Sequence, residues 1–250
     1  MLGQLNDALL GDFADTFYGY GNYEAPYWFV GIEEGGGNDC NDIAIRLDVW
    51  QCRGRHEVED LAAFHDKIKI DRFFADPVKS QTTWNKLIRI LLSSKGVTTD
   101  LRAVKEYQST KLGRSTGETC LIELLPLPSP STAMWLLAQW TVLPQLKTKK
   151  GYEKYYTPRR ANHIKQRIIE YKPRVVVFYG VDPHLLTWWQ HIAGTAFSLL
   201  QVDGVNVWIA QGESTLFVIT MHPAAKGLKN TYVHEVGALI ANRLAVGSSQ

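Results

Sequence analysis

The chain has 250 residues, of which 45% are hydrophobic and 21% charged, and its formal net charge is only +2. That length suits one large domain or two small ones, and a chain that buries roughly three quarters of its unfolded surface needs no covalent staple. The composition excludes a disordered, fibrous or disulfide-built protein, and no apolar run approaches the roughly 20 residues of a membrane span.

The first thirteen residues carry Asp7 and Asp12 and no basic cluster, so they do not read as a secretory leader. Leu5, Leu9, Phe13 and Phe17 recur at helical spacing. The apolar run 27–32 predicts a buried strand, and it breaks abruptly into Glu33, Glu34 and the triplet Gly35, Gly36 and Gly37. Residues 53–80, rich in charge and Phe, read as an insertion. A helix is predicted over 82–94, with Trp84, Leu87, Ile88 and Leu91 on one face, and a second buried strand over 119–125. Thr157 and Pro158 resemble an N-cap and a first helical residue, which places a helix start near Pro158. The run 174–180 is the clearest strand, β-branched and ending in glycine. Asp182 and Pro183 open a capped helix, 205–211 and 216–222 predict two further strands, and 231–244 predicts a final amphipathic helix.

Apolar strands alternating with helices predict an α/β fold, with a parallel sheet covered on both faces. Ligands of such sheets bind beyond the carboxyl ends of the strands. Four of the predicted ends carry polar or Gly/Pro-rich sequence: 33–37, 123–131, 180–183 and 222–227. Cys40, Cys52 and Cys120 form no CxxC pair, so no disulfide framework, zinc ribbon or iron–sulfur cluster is expected, and reduced thiols in a cytosolic protein are. No metal or cofactor is predicted. Charge is uneven along the chain: residues 1–48 hold nine acids against Arg46 alone, whereas 147–174 hold ten bases against Glu153 and Glu170. Such a basic stripe is either the footprint of a polyanion or a solvated helix face.

The four strand ends resemble the uracil-DNA glycosylase superfamily. In that family the first strand enters a Gly-x-acid-Pro loop whose carboxylate positions the hydrolytic water, and here "GIEEGG" puts Glu33 at that place. The family's second strand ends in a base-reading Asn, and here Glu123 stands there. The third strand is aliphatic and ends in glycine, like "PRVVVFYG". The fourth ends in His-Pro-Ser before a loop that enters the minor groove, and "VITMHPAAKG" supplies His222 and Pro223. Glu34 replaces the usual proline, Glu123 the asparagine and Ala224 the serine. The resemblance implies a single domain over 1–250, a three-layer αβα sandwich around a mostly parallel, four-stranded sheet.

It also implies a monofunctional DNA glycosylase that flips a base from double-stranded DNA and hydrolyses its N-glycosidic bond. A carboxylate under the sugar stabilises positive charge and orients water, while a histidine stabilises the departing base. Glu33 and His222 suit these roles, with Glu34 a second candidate for the acid. Each also has a plainer reading, Glu33 as a helix-terminal carboxylate and His222 as a surface loop residue. Glu123 points away from uracil. A carboxylate accepts from the exocyclic amine of cytosine, and a buried, protonated one also donates to its ring nitrogen; alternatively Glu123 caps the loop that follows. Gly35 stands where the family has an aromatic residue that blocks the base's 5-position, so Gly35 and Gly36 either enlarge the pocket or make a tight turn.

The implied substrate is a 5-modified cytosine such as glucosylated hydroxymethylcytosine in phage DNA, excised in antiviral defence. Lys226, Lys229, Arg159 and Arg160 are candidate phosphate grips, Leu228 the wedge and Phe74 the stacking ring. A monomer is expected. Three rival readings stay open: a uracil repair enzyme, an N-glycosidase or transferase of free nucleosides, and a non-catalytic DNA-binding module on the same fold.

Overall fold

A computed structural model of the chain describes residues 3–131 and 134–247. Its helices are α1 (Asp7–Thr16), α2 (Cys40–Cys52), α3 (Leu61–Lys67), α4 (Thr82–Ser94), α5 (Leu101–Thr110), α6 (Lys149–Tyr171), α7 (Pro183–Ala193) and α8 (Asn230–Gly247). Its strands are β1 (Gly19–Tyr20), β2 (Tyr27–Gly35), β3 (Val58–Glu59), β4 (Thr119–Ser129), β5 (Val175–Tyr179), β6 (Ser198–Val202), β7 (Val205–Gln211) and β8 (Leu216–Thr220).

The strands form one mixed sheet in the order β3-β1-β4-β2-β5-β8-β7-β6. It therefore has eight strands, not the four expected from the resemblance. The four long apolar runs are its inner strands, β4-β2-β5-β8, and all three of their pairings are parallel. The difference lies at the edges. A β6–β7 hairpin adds antiparallel strands beyond β8, and the two-residue strands β1 and β3 extend the sheet beyond β4.

Alternation explains why the inner runs are apolar throughout. Phe29, Leu121, Val177 and Val218 enter a core shared with α1 to α5 and α8, while Trp28, Val30, Ile122, Val176 and Ile219 enter a second core with α7 and the later turns of α6. Helices thus cover both faces of the sheet.

Residues 53–80, read from the sequence as an insertion, contribute to the sheet edge: β3 pairs with β1, and Leu61, Phe64 and His65 are buried. One boundary departs from the sequence reading. Helix α6 begins at Lys149, not near Pro158. Thr148 caps it by accepting from the Gly151 amide at 3.0 Å, and Pro158 lies inside the 23-residue helix. An internal proline deletes one backbone hydrogen bond, a loss that a long, well-packed helix can absorb.

Candidate functional site

β2 is flanked by β4 and β5, whose connections leave it in opposite directions across the sheet. This is the point at which a crevice opens at the carboxyl ends of a parallel sheet. Register sets the first residues of the site. Gly31 is paired with Glu123, and Tyr179, the last residue of β5, with Thr220. Gly31 has no side chain, and the Tyr179 hydroxyl reaches across it to donate to Glu123 Oε1 at 2.9 Å. A Cβ on Gly31 would strike both the Tyr179 hydroxyl and Glu123 Oε2.

The Glu123 carboxyl is buried, and Oε2 has no hydrogen-bond partner. Burial pushes its pKa up to about 8. The hydrogen bond from Tyr179 pulls it down, the charges of Glu34 and Glu33 push it further up, and Arg160 pulls it back. Glu123 is therefore mostly protonated at neutral pH and holds an O–H with nothing to donate to.

Beyond Gly31 the two glutamates diverge. Glu33 turns to Lys149 at the start of α6, whose ammonium sits 2.5 and 2.6 Å from its two oxygens and over the rings of Trp135 and Tyr152. The Glu33 side chain is only 5% exposed, and burial lifts its pKa to about 7 against the pull of Lys149. Glu34 accepts from the Tyr20 hydroxyl at 3.1 Å and from Arg46 Nη1 at 3.0 Å, and its side chain is 21% exposed. Arg46 is itself buried and also held by Asp42 at 3.0 Å. The three carboxyls at this sheet end are thus compensated by Lys149, by Arg46 and by a proton.

The triple glycine divides into two functions. Gly36 and Gly37 have φ of +133° and +66°, so they make the turn that brings the Gly37 amide 2.7 Å from Asp42 Oδ2. Gly35 has open space where a side chain would stand.

His222 lies just past β8, with its ring 5.5 Å from that of Tyr179. Its Nδ1 accepts from the Ala224 amide at 3.1 Å, and burial lowers its pKa. The neutral ring therefore carries its proton on Nε2, ready to donate. After it, Lys226 and Lys229 are exposed and Leu228 is half-buried. A cleft of about 280 Å³, lined by Met221, Lys226, Leu228 and Tyr232 among others, opens beside them. Phe74 is half-buried and joins His65, Trp84 and Tyr20 in an aromatic cluster whose centroids are 5.4 to 5.8 Å apart. His65 Nδ1 donates to the Leu61 carbonyl at 2.8 Å, and burial keeps this ring neutral.

Arg159 is exposed, stacked 3.8 Å over Tyr155. Arg160 corrects the sequence reading. It is 1% exposed, donates to the carbonyls of Leu124, Ala14 and Glu123 at 2.9 to 3.2 Å, and stacks on Tyr18. It is a core cation that fixes β4 against α1 and is not free to grip a phosphate. Trp50 is buried, with its indole N–H donating to the His56 carbonyl at 2.8 Å.

Sequence reasoning missed Tyr179, Tyr20, Arg46 and His65, and did not pair Lys149 with Glu33. Only Tyr179 gave a local signal, a hydroxyl at the end of an aliphatic run. Among the described residues no group of three or more His, Cys, Asp or Glu side chains is placed to hold a metal, and no helix is long and apolar enough to cross a membrane. No protein-family model and no curated protein matches the chain.

Proposed function

We propose that the protein is a monofunctional DNA glycosylase that excises a flipped-out, 5-substituted cytosine. The observation that carries the reading is the convergence, at the carboxyl ends of the four inner parallel strands, of a charge-compensated carboxylate pair, a buried protonated carboxyl and a neutral histidine with a free donor.

Their division of labour follows from chemistry. Cleavage of the bond from C1′ to the base leaves positive charge on the sugar and negative charge on the base. Glu34 is the more exposed of the two β2 acids and is held rigidly by Tyr20 and Arg46, so we assign it the hydrolytic water. Glu33, closed in by Lys149, supports the same charge from beneath. His222 Nε2–H suits the base's carbonyl oxygen as electrons move onto it. Glu123 suits its ring nitrogen, whose protonation makes the base a better leaving group. Open space at Gly35 accommodates a 5-substituent.

Exposed Lys226, Lys229 and Arg159 favour a DNA strand over a free nucleoside, which needs no such grips. Excision from phage DNA with modified cytosine, in antiviral defence, fits a pocket of this kind. The test is incubation of duplexes carrying cytosine, 5-hydroxymethylcytosine, glucosylated 5-hydroxymethylcytosine or uracil, with alkali-labile sites as the readout. Release of the modified cytosines is expected, with Glu34→Gln and His222→Ala each lowering the rate by about 100-fold or more and Glu33→Gln by less. Alkali-stable products from every duplex would leave a DNA-binding module in place of an enzyme.

A further inference from the structure

Glu123 Oε1 accepts from the Tyr179 hydroxyl, whereas Oε2 is shut off from solvent and has no partner. A buried polar atom left unpaired is costly, so its presence points to a ligand that completes it. What that ligand presents follows from where the proton sits.

We propose that Tyr179 is a positioning residue that fixes the Glu123 proton on Oε2, so that the carboxyl reads an amidine edge, an amino group beside an unprotonated ring nitrogen, and rejects the imide edge of uracil and thymine. The inference rests on the glycosylase reading and narrows its substrate.

The Tyr179 hydroxyl has one hydrogen, and it is donated to Oε1. Oε1 thereby acts as an acceptor, and the carboxyl proton falls to Oε2. A carboxyl oxygen has a second lone pair, so Oε1 can also accept from an exocyclic amine while Oε2–H donates to the ring nitrogen. The two nitrogens of an amidine are separated by one carbon, as are the two oxygens of a carboxyl, so both hydrogen bonds form in parallel. Cytosine and its 5-substituted forms carry this edge. Uracil presents an N–H to Oε2–H and a carbonyl to Oε1, so donor meets donor and acceptor meets acceptor. Gly31 keeps the arrangement compact, since any larger residue would separate Tyr179 from Glu123.

The charged and titratable groups around Glu123 are Glu33 and Glu34 on β2, Tyr179 on β5 and Arg160 on α6, with Arg46 and Tyr20 behind Glu34 and His222 against Tyr179. Glu123 is the one among them whose pKa of about 8 falls within an accessible alkaline range while it faces the unfilled position. Its ionisation removes the donor and sets a carboxylate against the ring nitrogen's lone pair, so the preference should fade as pH rises through about 8.

The experiment measures binding rather than cleavage. Oligonucleotides carrying 2′-fluorinated cytidine, 5-hydroxymethylcytidine or uridine resist hydrolysis and allow affinity to be read at pH 6.5 and pH 8.5, below the range in which the uridine imide ionises. The cytidine forms should bind about tenfold or more tightly than the uridine form at pH 6.5, as expected of a bidentate base contact, and the ratio should shrink at pH 8.5. Glu123→Gln, an isostere of the protonated acid, should keep the same ratio at both pH values whatever its absolute affinity. Tyr179→Phe should lower the ratio at pH 6.5 and move its loss to higher pH, because the lost hydrogen bond holds the Glu123 pKa down. A uridine preference at pH 6.5, a ratio that ignores pH in the unaltered protein, or no discrimination among the three would overturn the inference. An intact cytidine preference without base release from unfluorinated DNA would instead remove the glycosylase reading and leave the edge reading standing.

Discussion

Gly31 sets the distance at which Tyr179 and Glu123 meet. Strand register alone would place a side chain between them, and the hydrogen bond across β2 exists because that side chain is absent. Gly31→Ala should therefore act as overpacking at a fully built site, with a loss of about 1–3 kcal/mol. The thermal midpoint should drop by roughly 2–10 °C for a chain of this size, and the base preference should go with it. An unchanged midpoint in a calorimetric scan would mean that the three residues are not in contact. The same scale separates Glu33 from Glu34: adjacent in sequence and identical in chemistry, they are made different by Lys149 on one side and by Tyr20 and Arg46 on the other.

Among the elements, the segment after β8 has the clearest tether. Lys86 of α4 donates to the Leu228 carbonyl at 2.9 Å and to Asn230 Oδ1 at 2.7 Å, pinning the segment that carries Lys226, Leu228 and Lys229. Lys86→Ala should speed amide hydrogen exchange over 226–229 and weaken DNA binding, while costing no more than about 1.5 kcal/mol of global stability. Unaltered exchange there would show that the loop is held by Leu228 packing instead. The inner strands were legible because burial on both faces makes their runs apolar without interruption. The two-residue strands β1 and β3 carry no such pattern. Helix α2 was also illegible, because its inward face spends positions on Asp42 and Arg46, which serve Glu34 and the Gly37 amide rather than the core. The strand-end acids could be found from sequence, but their partners could not: Lys149 is 116 residues from Glu33, and Tyr20 is 14 residues from Glu34 with β1 and β2 on opposite sides of β4. The basic stripe misled at Arg160, since composition does not tell which bases of a helix face inward.

For the whole molecule, two acids of raised pKa make stability fall with pH above the histidine range. Their folded pKa values, about 7 for Glu33 and about 8 for Glu123, lie above the ordinary 4.5. The native state thus binds more protons than the unfolded chain between 4.5 and those values, so stability falls as pH rises through that window, by at most about 1.4 kcal/mol per pH unit per group. Thermal midpoints should decline from about pH 7 to 8.5, above the range in which histidines of lowered pKa such as His65 and His222 act in the opposite sense, and Glu123→Gln should flatten that decline; a rising curve over that range in the unaltered protein would contradict the Glu123 assignment. On the proposed reading, the bond across Gly31 has a further consequence, for how such a protein would change its target. A shorter Asn at position 123 would withdraw the acceptor from Tyr179 and leave a buried hydroxyl stranded above a void. Losing Tyr179 first would leave the Glu123 proton free to occupy either oxygen. Neither single step leads to a well-formed imide reader, so a lineage moving between the two base classes would have to alter positions 123 and 179 together, across an intermediate that is both less stable and less selective.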